Sequence, residues 1–202
     1  MLIFGGYSLY TYHFSTESAK NLPKDHSLET FLLPSPTDHT VGSPAATFTL
    51  IYYTDYDCPF CTNAIELGER LTKQYPNLRV VYRNSPLSAL HPEAPQKAIL
   101  AECLAQKEQS FFVIAQKLFA AQGSTLHELP HATDLVTTEE LEACLQNEEA
   151  QQRVLREQLE AMNMGLYSTP SAILLKGNAI VLKLNFASEE TLDKILPSAI
   201  TP

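Results

Sequence analysis

The chain has 202 residues, 45% of them hydrophobic, enough for one sizeable core and a subdomain. Acidic residues outnumber basic ones by 23 to 14, giving a formal charge of −9. No basic stripe appears, which argues against a nucleic-acid partner held by phosphate neutralisation.

Met1 to Phe14 is mostly apolar or aromatic. It is shorter than the roughly 20 residues that span a bilayer. It also lacks the basic flank and small-residue cleavage site of a signal peptide. It reads either as the end of a membrane anchor or as an apolar extension without a targeting role. Residues 15–44 are polar, carry Pro23, Pro34, Pro36 and Pro44, and show no sustained periodicity. They read as a linker. The folded domain is expected over 45–202.

Phe48 to Tyr53 is an aromatic and β-branched run and predicts a buried strand. Thr62 to Tyr75 carries Ala64, Ile65, Gly68, Leu71 and Tyr75 on one face and predicts an amphipathic helix. Between them stands Cys58-Pro59-Phe60-Cys61. Cys58 falls at the N-cap, where unpaired N–H groups and the helix dipole favour a thiolate. Pro59 suits the first helical position. Cys61 lies one turn on, close enough to close a disulfide. Leu78 to Tyr82 is a second short apolar run, and the intervening helix makes a parallel βαβ crossover.

From His91 to Met164 the pattern is helical. Thr137-x-x-Glu140 has the form of a capping box. After Pro170, Ala172 to Leu175 and Ala179 to Leu184 predict two strands joined by the turn signal Gly177-Asn178. Ser188 caps a last helix, with Glu189 and Glu190 in its first turn. A βαβ unit and a ββα unit thus flank a helical insert over about 91–164, an α/β fold.

Four cysteines leave two readings open. Cys58 and Cys61 form a redox dithiol, with Cys103 and Cys144 as a disulfide or as buried apolar thiols. Alternatively all four hold a structural zinc in a non-catalytic binding module. C-x-x-C occurs once rather than twice, which favours the redox reading. Phosphate-binding, dinucleotide-binding and serine-hydrolase glycine motifs do not occur.

Thr54-Asp55-Tyr56-Asp57-Cys58-Pro59-Phe60-Cys61 with the later Ser168-Thr169-Pro170 resembles the DsbA-like thiol-disulfide oxidoreductases of the thioredoxin superfamily. Gly42-Ser43-Pro44-Ala45, Tyr82-Arg83-Asn84-Ser85-Pro86-Leu87 and Ala89-Leu90-His91-Pro92 extend the likeness over about 42–196. The resemblance implies a thioredoxin-like fold and an enzyme without a cofactor or metal. It implies that Cys58 is an exposed nucleophile and Cys61 the buried resolving thiol. It makes Pro170 a cis proline facing the disulfide, and gives the Thr169 backbone to bound substrate. Pro59 and Phe60 complete the active-site turn. Cys103 and Cys144 resemble a second pair carried in the insert, read as a structural disulfide. Two positions depart from the family pattern. Tyr52 stands where an acid usually accepts a proton from the resolving thiol, which leaves proton handling to water or Asp55. Ser168 replaces a common glycine. Phe60 adds no positive charge beside the thiolate, so a disulfide less oxidising than that of the best-known oxidases is expected.

These implications place the chain outside the cytoplasm, in the periplasm or on the outer face of the cytoplasmic membrane. Its partners would be cysteine-containing protein substrates and a membrane quinone-linked re-oxidising protein. Without a dimerisation segment it reads as a monomer. A disulfide reductase or isomerase is the alternative direction of the same chemistry.

Overall fold

The computed structural model describes residues 33–107 and 110–200. Among them, five strands form one mixed sheet: β1 (His39–Gly42), β2 (Phe48–Thr54), β3 (Leu78–Asn84), β4 (Ser171–Lys176) and β5 (Ala179–Leu184). Their order in space is β1-β3-β2-β4-β5. β2 and β3 run parallel, with Phe48 opposite Leu78 and Thr54 opposite Asn84. The other three pairs are antiparallel. The parallel pair is joined by α1 (Ala64–Gln74), the crossover that parallel neighbours require. The β4–β5 hairpin turns at Gly177, whose φ of 58° is the left-handed backbone that glycine adopts readily.

All seven residues of β2 are buried, because both its edges and both its faces are covered. Alternation along the strand splits the core in two. Phe48, Leu50 and Tyr52 pack with Ile65 and Leu71 of α1 and with Leu192 and Leu196 of α7 (Glu189–Ala199). Ile51 and Tyr53 pack on the other face with Val81, Ala161, Leu166, Ile173 and Leu175. Burying each such aliphatic side chain contributes about 1.5–3 kcal/mol.

The insert holds α2 (Ala94–Gln106), α3 (Phe111–Ala120), α4 (Leu129–Ala132), α5 (Thr138–Leu145) and α6 (Glu148–Asn163). α2 is its axis, packed by α3, α5 and α6. A disulfide joins Cys103 of α2 to Cys144 of α5, with Cα atoms 5.5 Å apart. α5 starts with the capping box of Thr137 and Glu140, in which each side chain bonds the other's backbone N–H. α7 starts at Ser188, whose hydroxyl accepts from the Thr191 N–H.

The sheet begins earlier than the sequence indicates. His39–Gly42 lies in the stretch read as linker, yet it pairs with β3 as an edge strand. Four residues are too few for an alternation of period two to stand out. The apolar segment 1–14 lies outside the described residues. Among the described residues no helix is long and apolar enough to cross a membrane. The helix expected to start at Pro59, with Cys58 as its N-cap, also divides. A 3-10 turn, Pro59–Cys61, precedes α1, which begins after Asn63.

Candidate active site

β2 ends at Thr54 and delivers the chain to Asp55-Tyr56-Asp57-Cys58 at the end of the sheet. Cys58 has extended backbone (φ −77°, ψ 119°) and is the N-cap of the 3-10 turn, with Pro59 at its start. The Cys61 N–H donates to the Cys58 carbonyl at 2.9 Å, which closes the turn. β4 pairs with β2 so that Ala172 lies opposite Tyr52. That register brings the residues before β4 alongside the residues after β2. The Thr169–Pro170 peptide there is cis. The Cys58 thiol donates to the Thr169 carbonyl at 3.2 Å. The structure therefore brings Cys58, Pro59, Phe60, Cys61, Thr169 and Pro170 together. Cys103 and Cys144 sit in the insert, bonded to each other, so they supply no thiolates to a zinc shared with Cys58 and Cys61.

The Cys58 and Cys61 thiols differ in their surroundings. Cys58 is lowered to about 6, chiefly by the hydrogen bond from the Cys61 thiol, against an opposing effect of burial. The Phe60 backbone N–H also favours its thiolate. Cys61 is raised well above its ordinary value by burial, then by its bond to Cys58 and the charge there. Asp55 raises both through its negative charge.

Exposure corrects one expectation. Cys58 is only 4% exposed, not an open nucleophile. Thr169 lies against its sulfur, and the Gln122 side chain caps its carbonyl at 2.7 Å. Neighbouring surface is apolar instead: Phe60 is 67% exposed and meets Phe186 edge-on, with ring centroids 5.3 Å apart. Tyr56 is buried against Phe119.

Tyr52 is buried, and its hydroxyl donates to the Ala187 carbonyl at 3.0 Å. Burial, then the nearby Cys61, pushes it far above its ordinary value, so it accepts no proton near neutral pH. Asp55 is fully buried. Its carboxylate accepts the Asp57 and Leu87 N–H groups at 2.8 Å each, and His91 Nδ1 lies 2.8 Å from Oδ2. Those three bonds anchor two loops.

Three groups of functional weight carry no local motif. Lys97 is buried in α2, pairs with Asp57 and donates to the Ser124 carbonyl at 2.8 Å. Gln122 reaches in from the end of α3. Behind β3, Arg83, Glu160, Asp38, Glu102, Arg153 and Glu157 form a buried ion-pair network. Burial and the neighbouring Glu102 carboxylate push Glu157 up to about 7. Lys97 and Glu102 in the largely apolar run Ala94 to Leu104 are the sequence signals for these, since a buried charge requires a partner.

A family described as thioredoxin matches residues 34–196. Among solved structures, Pseudomonas aeruginosa DsbA2 is 25% identical with a TM-score of 0.67, over 81% of this chain and 95% of that one. Wolbachia pipientis alpha-DsbA1 is 18% identical with a TM-score of 0.65, over 86% and 98%, a likeness of fold alone. The Na(+)/H(+) antiporter NhaA 1 of Salinispora arenicola is 35% identical over 86 residues, 43% of this chain and 13% of that protein's length. With 163 of its residues spanned by the family model and a Cys58–Cys61 pair beside a cis proline, the chain belongs to the thioredoxin family and has the DsbA-like form of its fold.

Proposed function

We propose that Cys58 is the nucleophile and Cys61 the resolving thiol, and that the enzyme forms disulfides in exported proteins. The asymmetry of the pair carries this reading: Cys58 lowered to about 6, Cys61 raised. A sulfur held as thiolate near neutral pH is a good leaving group, which makes its disulfide a good oxidant.

In the forward reaction a substrate thiolate attacks the Cys58 sulfur of the Cys58–Cys61 disulfide. The S–S bond breaks and its electron pair goes to Cys61, which then takes a proton. A second substrate thiolate attacks the substrate sulfur of the mixed disulfide. Cys58 leaves as thiolate, the substrate is oxidised, and the enzyme is left as a dithiol. Tyr52 cannot carry the Cys61 proton. Asp55 with its partner His91, whose side chain is 20% exposed, supports a polar route to solvent, and water is the other carrier. Thr169, Pro170, Pro59 and Phe60 frame the approach to the sulfur. Re-oxidation falls to a membrane quinone-linked partner, in keeping with a place outside the cytoplasm, reached through the 1–14 segment if that is an anchor.

Cys58→Ser should abolish exchange, and Cys61→Ser should accumulate substrate as mixed disulfides. Residual turnover in Cys58→Ser sinks the assignment. A glutathione titration tests the direction. A potential above about −200 mV supports the oxidase, and a disulfide that persists to about −250 mV or below turns the reading to a reductase or isomerase.

A further inference from the structure

The active-site turn is braced from outside by the helical insert. Gln122 follows α3, and its Nε2 donates to the Cys58 carbonyl at 2.7 Å. Its Oε1 lies 3.0 Å from the Thr62 hydroxyl. One amide thus spans the turn, holding the residue at its start and the residue just past its end. The Cys58 carbonyl also accepts the Cys61 N–H at 2.9 Å, so the atom that Gln122 holds is the one that closes the turn. The loop bearing Gln122 is itself seated. Buried Lys97 donates to the Ser124 carbonyl at 2.8 Å and pairs with Asp57, the residue before Cys58. The Ser124 N–H in turn donates to the Ala121 carbonyl at 3.0 Å.

We propose that Gln122 is a positioning residue for the nucleophile, fixing the Cys58 carbonyl and thereby the approach of the two active-site sulfurs. It touches neither sulfur and acts through the backbone of Cys58. Two effects work in one direction. Holding the turn closed keeps the Cys61 thiol on Cys58, where its hydrogen bond favours the charged form. An N–H on the Cys58 carbonyl also offsets the partial negative charge of that oxygen beside the sulfur. The inference rests on Cys58 being the nucleophile.

The test is the pH dependence of iodoacetamide alkylation at Cys58 in the reduced full chain, located by peptide mass, alongside thermal unfolding. The unsubstituted protein should show a midpoint near 6. Gln122→Ala should raise it by about half a pH unit or more. Gln122→Glu should raise it further, since a carboxylate has no donor and sets a negative charge against the carbonyl. Thr62→Val, which frees the far end of the Gln122 amide and also removes the Thr62 hydroxyl from the Pro59 carbonyl 3.0 Å away, should move it less and in the same sense. Midpoints unchanged in Gln122→Ala and Gln122→Glu, with only the unfolding temperature lowered, would overturn the proposal and leave a structural tie. Should neither Gln122 variant fold, Thr62→Val decides by the same criterion. An unsubstituted midpoint near the ordinary thiol value of about 8.5 would instead overturn the nucleophile assignment, whatever the variants show.

Discussion

Gly68 shows how one residue can be dictated by the side chain opposite it. A Cβ at this position would stand 1.7 Å from the Tyr82 hydroxyl oxygen and 2.8 Å from the ring carbon that bears it. Tyr82 is 1% exposed, and its hydroxyl lies 3.2 Å from the Ala64 carbonyl and 3.3 Å from that of Ile65. The ring therefore has nowhere to retreat without giving up its hydrogen bonding. Helix propensity alone would make Gly68→Ala stabilising by about 1 kcal/mol. Overpacking wins, and the substitution should destabilise by about 1–3 kcal/mol in denaturant unfolding. Tyr82→Phe removes the oxygen and should recover part of that loss. A net gain in Gly68→Ala would show that α1 shifts off β3 at little cost. The same close packing puts Tyr52 beside Cys61 as an inert neighbour, its proton held by the Ala187 carbonyl.

Among elements, the pairing of α2 with α5 ties down the insert that braces the active site. The Cys103–Cys144 bond closes a loop with a sequence separation of 41. In the chain-entropy model such a loop contributes about 3–4 kcal/mol. Replacing both cysteines with alanine should lower unfolding stability by that amount, while disulfide exchange at Cys58 persists wherever the protein remains folded. A loss below about 1 kcal/mol would show that helix packing alone fixes the insert. Elements with local signals were legible in the sequence: the Thr137–Glu140 capping box, the Gly177 hairpin, and the Cys58–Cys61 turn between strand and helix. The edge strand His39–Gly42 was not, because its pairing depends on β3 some forty residues on. The burial of Cys58 and the roles of Lys97 and Gln122 were hidden for the same reason. Lys97 meets Asp57 across 40 positions and Gln122 meets Cys58 across 64. A lone amide or lysine in a helical block says that a partner is needed, and the fold decides which.

At the scale of the whole molecule, redox state and stability are linked. Closing Cys58–Cys61 removes two titrating thiols and deletes no other ionisable group. The stability of the reduced protein minus that of the oxidised protein therefore isolates these two as pH is varied. Cys58 is lowered by folding to about 6, whereas an unfolded cysteine titrates near about 8.5. A group lowered by folding adds stability that is complete above its unfolded value and lost as pH falls through its folded one. The reduced form should therefore gain on the oxidised form as pH rises from about 6 to about 8.5. Cys61 is raised and acts in the opposite sense. Its effect begins only where the unfolded thiol ionises, so the gain should flatten and turn down above about 8.5. Glu157, pushed up to about 7, titrates in the same window but is common to both forms and drops out of the difference. Calorimetry of the two forms from about pH 5.5 to about pH 9 reads the result directly. A difference that does not change with pH would remove the stabilised Cys58 thiolate, and with it the support for the proposed oxidase direction. A difference that grows through neutrality would mean that the dithiol is favoured by the fold in the pH range where substrate thiols begin to ionise and attack.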